Sequence, residues 1–216
     1  MPQAISPHFL AKSRLLTTQL VTRYERHIVN PENFFAYADT CMELDEASLM
    51  VLNGKLTLNS GTTEYAYRST ILRLDRSAQL VVTGGEFQVF YSADITVFSG
   101  GVLTLGNSFI NNSCRIRCGK SITIGDGCAI SHNVSILDSD FHILIRDGEP
   151  QPRHGSGIVI GDRVWIGTNA TILKDVQVGD GAVIAAGSLV SKDVPPRALV
   201  AGSPARVVDT DIDWKK

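Results

Sequence analysis

Within seven residues the chain carries two carboxylates and an imidazole, in the order Ile136-Leu137-Asp138-Ser139-Asp140-Phe141-His142. An imidazole titrates near neutrality. It can take a proton from a hydroxyl when a carboxylate or a carbonyl fixes which ring nitrogen carries hydrogen. Asp138 and Asp140 are the candidates for that orienting role. The plainer alternative is a corner histidine satisfied by backbone. Other chemistry has less support. His132, His142 and His154 stand ten and twelve apart, without metal-ligand spacing, and no metal is expected. Cys41, Cys114, Cys118 and Cys128 form no C-x-x-C pair; Cys114 and Cys128 fall in slots for small inward residues and are expected to be buried thiols.

What must position His142 is written in a six-residue comb. Ile124, Ile130 and Ile136, then Ile160, Ile166, Ile172, Val178, Ile184 and Val190, stand six apart. Four residues beyond each tooth come Cys128, Val134, Asp140, Val164, Ala170, Val176, Ala182, Ser188 and Val194, mostly small. A period of six matches neither the 3.6 of a helix nor the 2 of a hairpin strand. It fits a parallel β-helix in which each hexad gives one short strand and one corner, three hexads to a triangular coil. Gly125, Gly161, Gly167, Gly179 and Gly187 are expected at corners whose backbone torsions other residues would strain. His142 stands where the next tooth is due. The beat then breaks across Ile143–Gly157, rich in Gly and Pro, which predicts a loop thrown out of the wall.

The remaining chain supports one solenoid domain in 216 residues. Residues 1–49 are expected to form a cap, with a helix over Phe9–Ile28 and Phe34, Phe35 and Tyr37 closing the first coil. The β-helix is placed at 50–208, with looser coils up to Leu105, a shift of the beat by two at Ile124 and a last strand within Ala198–Val208. Residues 209–216 read as a polar tail. A net charge of −2 offers no field for nucleic acid or an anionic membrane. No spanning segment or signal sequence is visible, so membrane insertion is not expected and a cytoplasmic location is.

Together, D-S-D-F-H, the loop ending R-H-G at Arg153–Gly155, I-V-I-G-D-R-V-W-I-G and V-A-G-S-P-A-R-V-V resemble the hexapeptide-repeat O-acetyltransferases over roughly residues 105 to 208. The maltose and galactoside enzymes and the capsular polysaccharide enzymes are the nearest in pattern. The resemblance implies an all-β fold, a left-handed parallel β-helix, assembled as a homotrimer with acetyl-CoA as co-substrate between columns. It implies that His142 is a general base, with Asp140 and Trp165 beside it. Thr168, Ala186, Ser191, Lys192 and Arg206 fall at coenzyme positions, and Asn111 at an acceptor position. Asp138 is taken as a further acceptor residue. The family's acceptor-binding Asp falls near Gly119, which argues against a simple glucoside or galactoside. Arg146, Arg153 and His154 could face an anionic acceptor.

The reading is therefore O-acetylation of a sugar or surface polysaccharide by direct attack on the thioester. Alternatives are N-acetylation of an amino sugar or xenobiotic, a non-enzymatic scaffold, and a metal-dependent hydrase of similar fold.

Overall fold

The computed structural model describes residues 19–37, 39–60, 69–150 and 155–215. The comb forms a triangular column of three parallel sheets. The first face runs from Ile28–Val29 to Gln177–Val178, the second from Phe34–Ala36 to Leu199–Gly202, and the third from Thr40–Leu44 to Leu189–Val190. Strands meet tooth on tooth: Ile124 pairs with Ile160 and Ile160 with Val178, Ile130 with Ile166 and Ile166 with Ile184, Ile136 with Ile172 and Ile172 with Val190. All nine are buried. Within a hexad the strand reads small in, outward, tooth in, as Val164, Trp165 and Ile166 do. Each tooth thus rests on the tooth one coil below, with backbone amides satisfied between coils.

Coils nearer the start are wider for a reason the six-residue beat hides. Strands such as Val102–Leu105 and Ser121–Ile124 are four residues long and turn two side chains inward, Leu103 with Leu105 and Ile122 with Ile124. The expected shift at Ile124 is therefore no slip of register. Both residues belong to one strand, paired residue by residue with Leu103 and Leu105.

Several glycines serve differently from expectation. Gly187 has a φ of +70, but Gly125, Gly161, Gly167 and Gly179 lie outside the positive-φ region. Space is their constraint: a Cβ on Gly161 would lie 2.2 Å from the Asp180 carboxylate oxygen, and one on Gly179 would lie 2.4 Å from the backbone of Pro196. Asp180 is there because its carboxylate accepts the Asp162 N–H at 2.8 Å, and Asp162 does the same for Asp126. Each glycine makes room for the carboxylate or backbone of the coil above. Positive φ is carried at the corners also by Asn133, Arg163, Asn169 and Asp175.

The wall begins earlier than residue 50. Ile28–Val29, Phe34–Ala36 and Thr40–Leu44 already form a coil, paired with Leu49–Leu52, Lys55–Ser60 and Thr70–Leu74. The expected helix is seen over residues 19–24, ahead of a 3-10 turn at Glu25–His27; positions 9–18 lie outside the described residues. Leu20 and Tyr24 are buried against the first coil, and the Tyr24 hydroxyl donates to the Met42 carbonyl at 2.8 Å. Phe34 enters the core. Phe35 instead faces out, with the Lys55 ammonium 4.8 Å from its ring. At the far end the expected last strand is a hairpin, Leu199–Gly202 against Ala205–Asp209. Among the described residues no helix is long and apolar enough to cross a membrane.

Candidate active site

The third face supplies the strand Ser135–Leu137, after which the chain leaves the wall and returns at Ile158–Ile160. The excursion carries a two-stranded hairpin, Ile145–Arg146 against Glu149–Pro150. Its base is fixed by residues of the wall. Asp138 is 2% exposed and occupies the step after Leu137, above Cys118. Its two oxygens accept the Gly119 N–H at 2.5 Å and the Lys120 N–H at 2.8 Å. Phe141, at a φ of +57, lies against Phe98 with ring centroids 4.6 Å apart. At the returning end the Asp175 carboxylate accepts the Ser156 N–H, and the Lys120 ammonium donates to the Gly155 carbonyl. Arg153 and His154 lie outside the described residues.

His142 is exposed on this clamped excursion, with Nδ1 3.0 Å from the Asp140 carbonyl oxygen. A carbonyl only accepts, so Nδ1 carries the hydrogen and Nε2 of the neutral ring keeps its lone pair. Asp140 thus meets His142 through its main chain. Its carboxylate is held by the Lys174 ammonium, a pairing the sequence reading missed. Ile143, Leu144 and Ile145 follow, 54%, 68% and 69% exposed.

The other expected site residues fall in three places. Ser191 and Lys192 follow the strand Leu189–Val190, stacked one coil above Thr171–Ile172 and hence at the same corner as Lys174. Thr168 and Ala186 stack at the opposite edge of the third face, where the Gly187 N–H donates to the Thr168 carbonyl at 2.8 Å. Arg206 sits on the final hairpin, exposed, its guanidinium on the Ala205 carbonyl at 2.8 Å. Trp165 and Asn111 share the second face, where they line one groove with Phe109, Ser131 and Trp214. Among the described residues no contact joins Trp165 to His142. Asp138, expected in an acceptor pocket, is buried in the wall with its two oxygens on backbone amides. Trp214 went unnoticed in the sequence because it stands in a stretch without periodicity.

Cysteine chemistry has no place at this corner. Burial pushes the Cys114 thiol up to about 11; burial first, then the Asp138 charge, pushes Cys118 up to about 12. Well below pH 9 both thiols are protonated, folded or unfolded. Above it the unfolded thiols, at 9.0, release protons before the folded ones do. Stability present below pH 9 is therefore lost as pH rises towards 11 and 12. Thermal scans should show the melting temperature falling across that window, and falling less steeply in Cys118→Ala.

A triangular column of stacked hexads with one extruded histidine loop defines a class, the hexapeptide transferases. The family model described as bacterial transferase hexapeptide (six repeats) matches residues 157–192. Galactoside O-acetyltransferase of Escherichia coli (strain K12) is 31% identical over 180 residues, covering 80% of this chain and 83% of that protein. The chain belongs to the hexapeptide-repeat acetyltransferases, left-handed β-helices whose acetyl donor is acetyl-CoA. Among solved structures, the polySia-specific acetyltransferase NeuO aligns at 25% identity and a TM-score of 0.54, covering 82% of this chain and 83% of NeuO. The polysialic acid O-acetyltransferase OatWY shares the fold at 23% identity and a TM-score of 0.63, over 85% and 90%. A Staphylococcus aureus (strain JH9) 2,3,4,5-tetrahydropyridine-2,6-dicarboxylate N-acetyltransferase is 39% identical over 90 residues, which span 42% of this chain and 31% of that protein.

Proposed function

We propose that this acetyltransferase acts on a hydroxyl of a sugar or surface polysaccharide, with His142 as general base. The observation that carries the reading is the exposed ring whose Nδ1 is anchored on the Asp140 carbonyl, which leaves Nε2 outward and able to accept a proton. Acetyl-CoA supplies the acetyl group as an activated thioester. The chain's own part is to hold the donor, receive the acceptor hydroxyl and remove its proton at Nε2 as the acceptor oxygen attacks.

Residues at the corner suit an anionic donor with an extended amide chain. Ser191 and Lys192 are exposed, and no ion pair holds Lys192 among the described residues. A Cβ on Gly187 would meet nothing within 4 Å, so backbone there is open to close approach. Thr168 and Ala186 line that edge, and the exposed Lys192 and Arg206 carry charge that suits phosphate. Assembly as a homotrimer is part of this reading, supported by the distribution of parts: Trp165 and His142 lie on different faces of one column and would act together across a subunit boundary. The exposed Ile143–Ile145 run favours such cover. The names of the galactoside and polysialic acid enzymes favour a sugar hydroxyl as acceptor.

The test is a panel of sugars, oligosaccharides and amino sugars with acetyl-CoA, following thiol release and then treating the product with hydroxylamine. An ester is cleaved and an amide survives. Transfer only to amines, giving a hydroxylamine-stable product, would replace this reading with N-acetylation.

A further inference from the structure

The groove on the second face lies away from the corner that carries Ser191 and Lys192, and it mixes aromatic, amide, hydroxyl and ammonium groups. It offers about 370 Å³ between Phe109, Asn111, Ser131, Trp165, Trp214 and Lys215, with Ala129 also in its lining. Trp165 stands outward from the strand Trp165–Ile166 and is 43% exposed. Trp214 reaches it from 49 positions further along the chain, with ring centroids 6.1 Å apart and planes tilted by 45°.

Trp214 is built into this place. Its indole N–H donates to the Arg163 carbonyl at 2.7 Å, and the Arg163 guanidinium binds the Asp213 carboxylate at 2.8 Å and the Trp214 carbonyl at 3.4 Å. The backbone amide of Trp214, with Arg163, holds the Asp213 carboxyl below its usual range. The indole is thereby fixed from both sides, with its face left to the groove. Rings touching at this separation leave no gap for a flat heterocycle to enter between them. A ligand must lie across the angled pair.

That geometry selects a particular chemistry. The C–H face of a pyranose is apolar and weakly positive, and it packs on the negative face of an indole. Its hydroxyls need donors and acceptors at the edge, which the Asn111 amide and the Ser131 hydroxyl supply. Lys215 is the one charged side chain lining the groove, and it suits a carboxylate on the sugar without requiring one. The Asn111 Oδ1 accepts the Asn112 N–H at 3.3 Å, so a purely apolar partner would leave the Asn111 side-chain N–H groups and the Ser131 hydroxyl without a match in the groove.

We propose that the Trp165–Trp214 groove is a subsite for a pyranose unit of the acceptor glycan. This rests on the reading of the chain as a sugar acetyltransferase and adds a second contact on the same acceptor. The 209–215 segment is then a specificity element, with Trp214 as its binding residue.

The test separates binding from transfer. Tryptophan emission and calorimetry are followed in His142→Ala without acetyl-CoA, using maltotriose as a neutral probe and tri-galacturonic acid as an acidic one. A saturable signal with either is expected, and the stronger of the two tells whether Lys215 contributes. Adding Trp214→Ala should weaken binding about 10-fold, while Trp214→Phe keeps it within about 3-fold. In the otherwise unaltered enzyme, Trp214→Ala should raise the acceptor KM by a similar factor and leave the acetyl-CoA KM unchanged. No signal with either probe, or equal binding by Trp214→Ala, overturns the subsite. So does a change in sedimentation of Trp214→Ala with glycan binding intact, which would make the groove a subunit contact. Transfer that survives His142→Ala while Trp214→Ala loses glycan binding would sink the base and leave the subsite standing.

Discussion

His142→Ala is expected to lower kcat about 10²- to 10⁴-fold, the usual worth of a positioned general base, with the acetyl-CoA KM unchanged. The size follows from what the ring alone does at this corner. Asp140 offers a carbonyl to Nδ1 and its carboxylate is engaged by Lys174, so neither Asp140 group stands ready to replace Nε2. Stability should hardly move, because the side chain is exposed and its one hydrogen bond is local. Thiol release with an accepted sugar, beside a urea denaturation curve, measures both. A variant that folds normally and transfers at the parental rate would remove the base.

Asp138→Ala should have the largest effect on folding, a loss of about 2–4 kcal/mol in unfolding free energy. Its carboxylate takes hydrogen from two successive amides, Gly119 and Lys120, at the step where the wall ends. Alanine leaves both amides without that partner and a void above Cys118. Asp138→Asn keeps one acceptor oxygen and should lose about half as much. Urea midpoints at constant m-value measure the effect. An acceptor-binding role gives the opposite pattern, a raised acceptor KM with stability intact, so one pair of measurements decides between wall and pocket.

The comb was legible because its teeth obey a strict local rule and every tooth pairs with another. The sequence also marked a break beside His142, but placed it across Ile143–Gly157, whereas the chain leaves the wall already after Leu137. It could not assign the two aspartates. Counting by six put Asp140 in the small inward slot, whereas the strand below, Arg115–Cys118, has four residues and turns Ile116 and Cys118 inward, so the inward step after Ile136 is Asp138. Inward direction here is inherited from the coil beneath, which hexad spacing does not encode. Lys174 escaped notice for a related reason, since its partner Asp140 is separated from it by the whole excursion. Trp214 joins Arg163 across 51 positions. Nothing periodic connects them. The glycines were correctly placed at corners for an incomplete reason, since crowding from the next coil, visible only once coils are stacked, governs four of the five.

Tooth-on-tooth pairing also limits how such a chain can change in length. Ile160 meets Val178 and Ile166 meets Ile184 after eighteen residues, while Ile124 meets Ile160 after thirty-six. Inside the regular walls an insertion or deletion keeps the aliphatic side chains inward when it is a whole number of hexads, and in register with the coil below when it is a whole turn; any other number must be absorbed at a corner, as between Leu105 and Ile124. The excursion behind His142 is exempt, for its two ends are tied down independently. Evolution can therefore lengthen, shorten or rewrite that segment residue by residue, and change what the enzyme accepts, while the column that supports it remains in step.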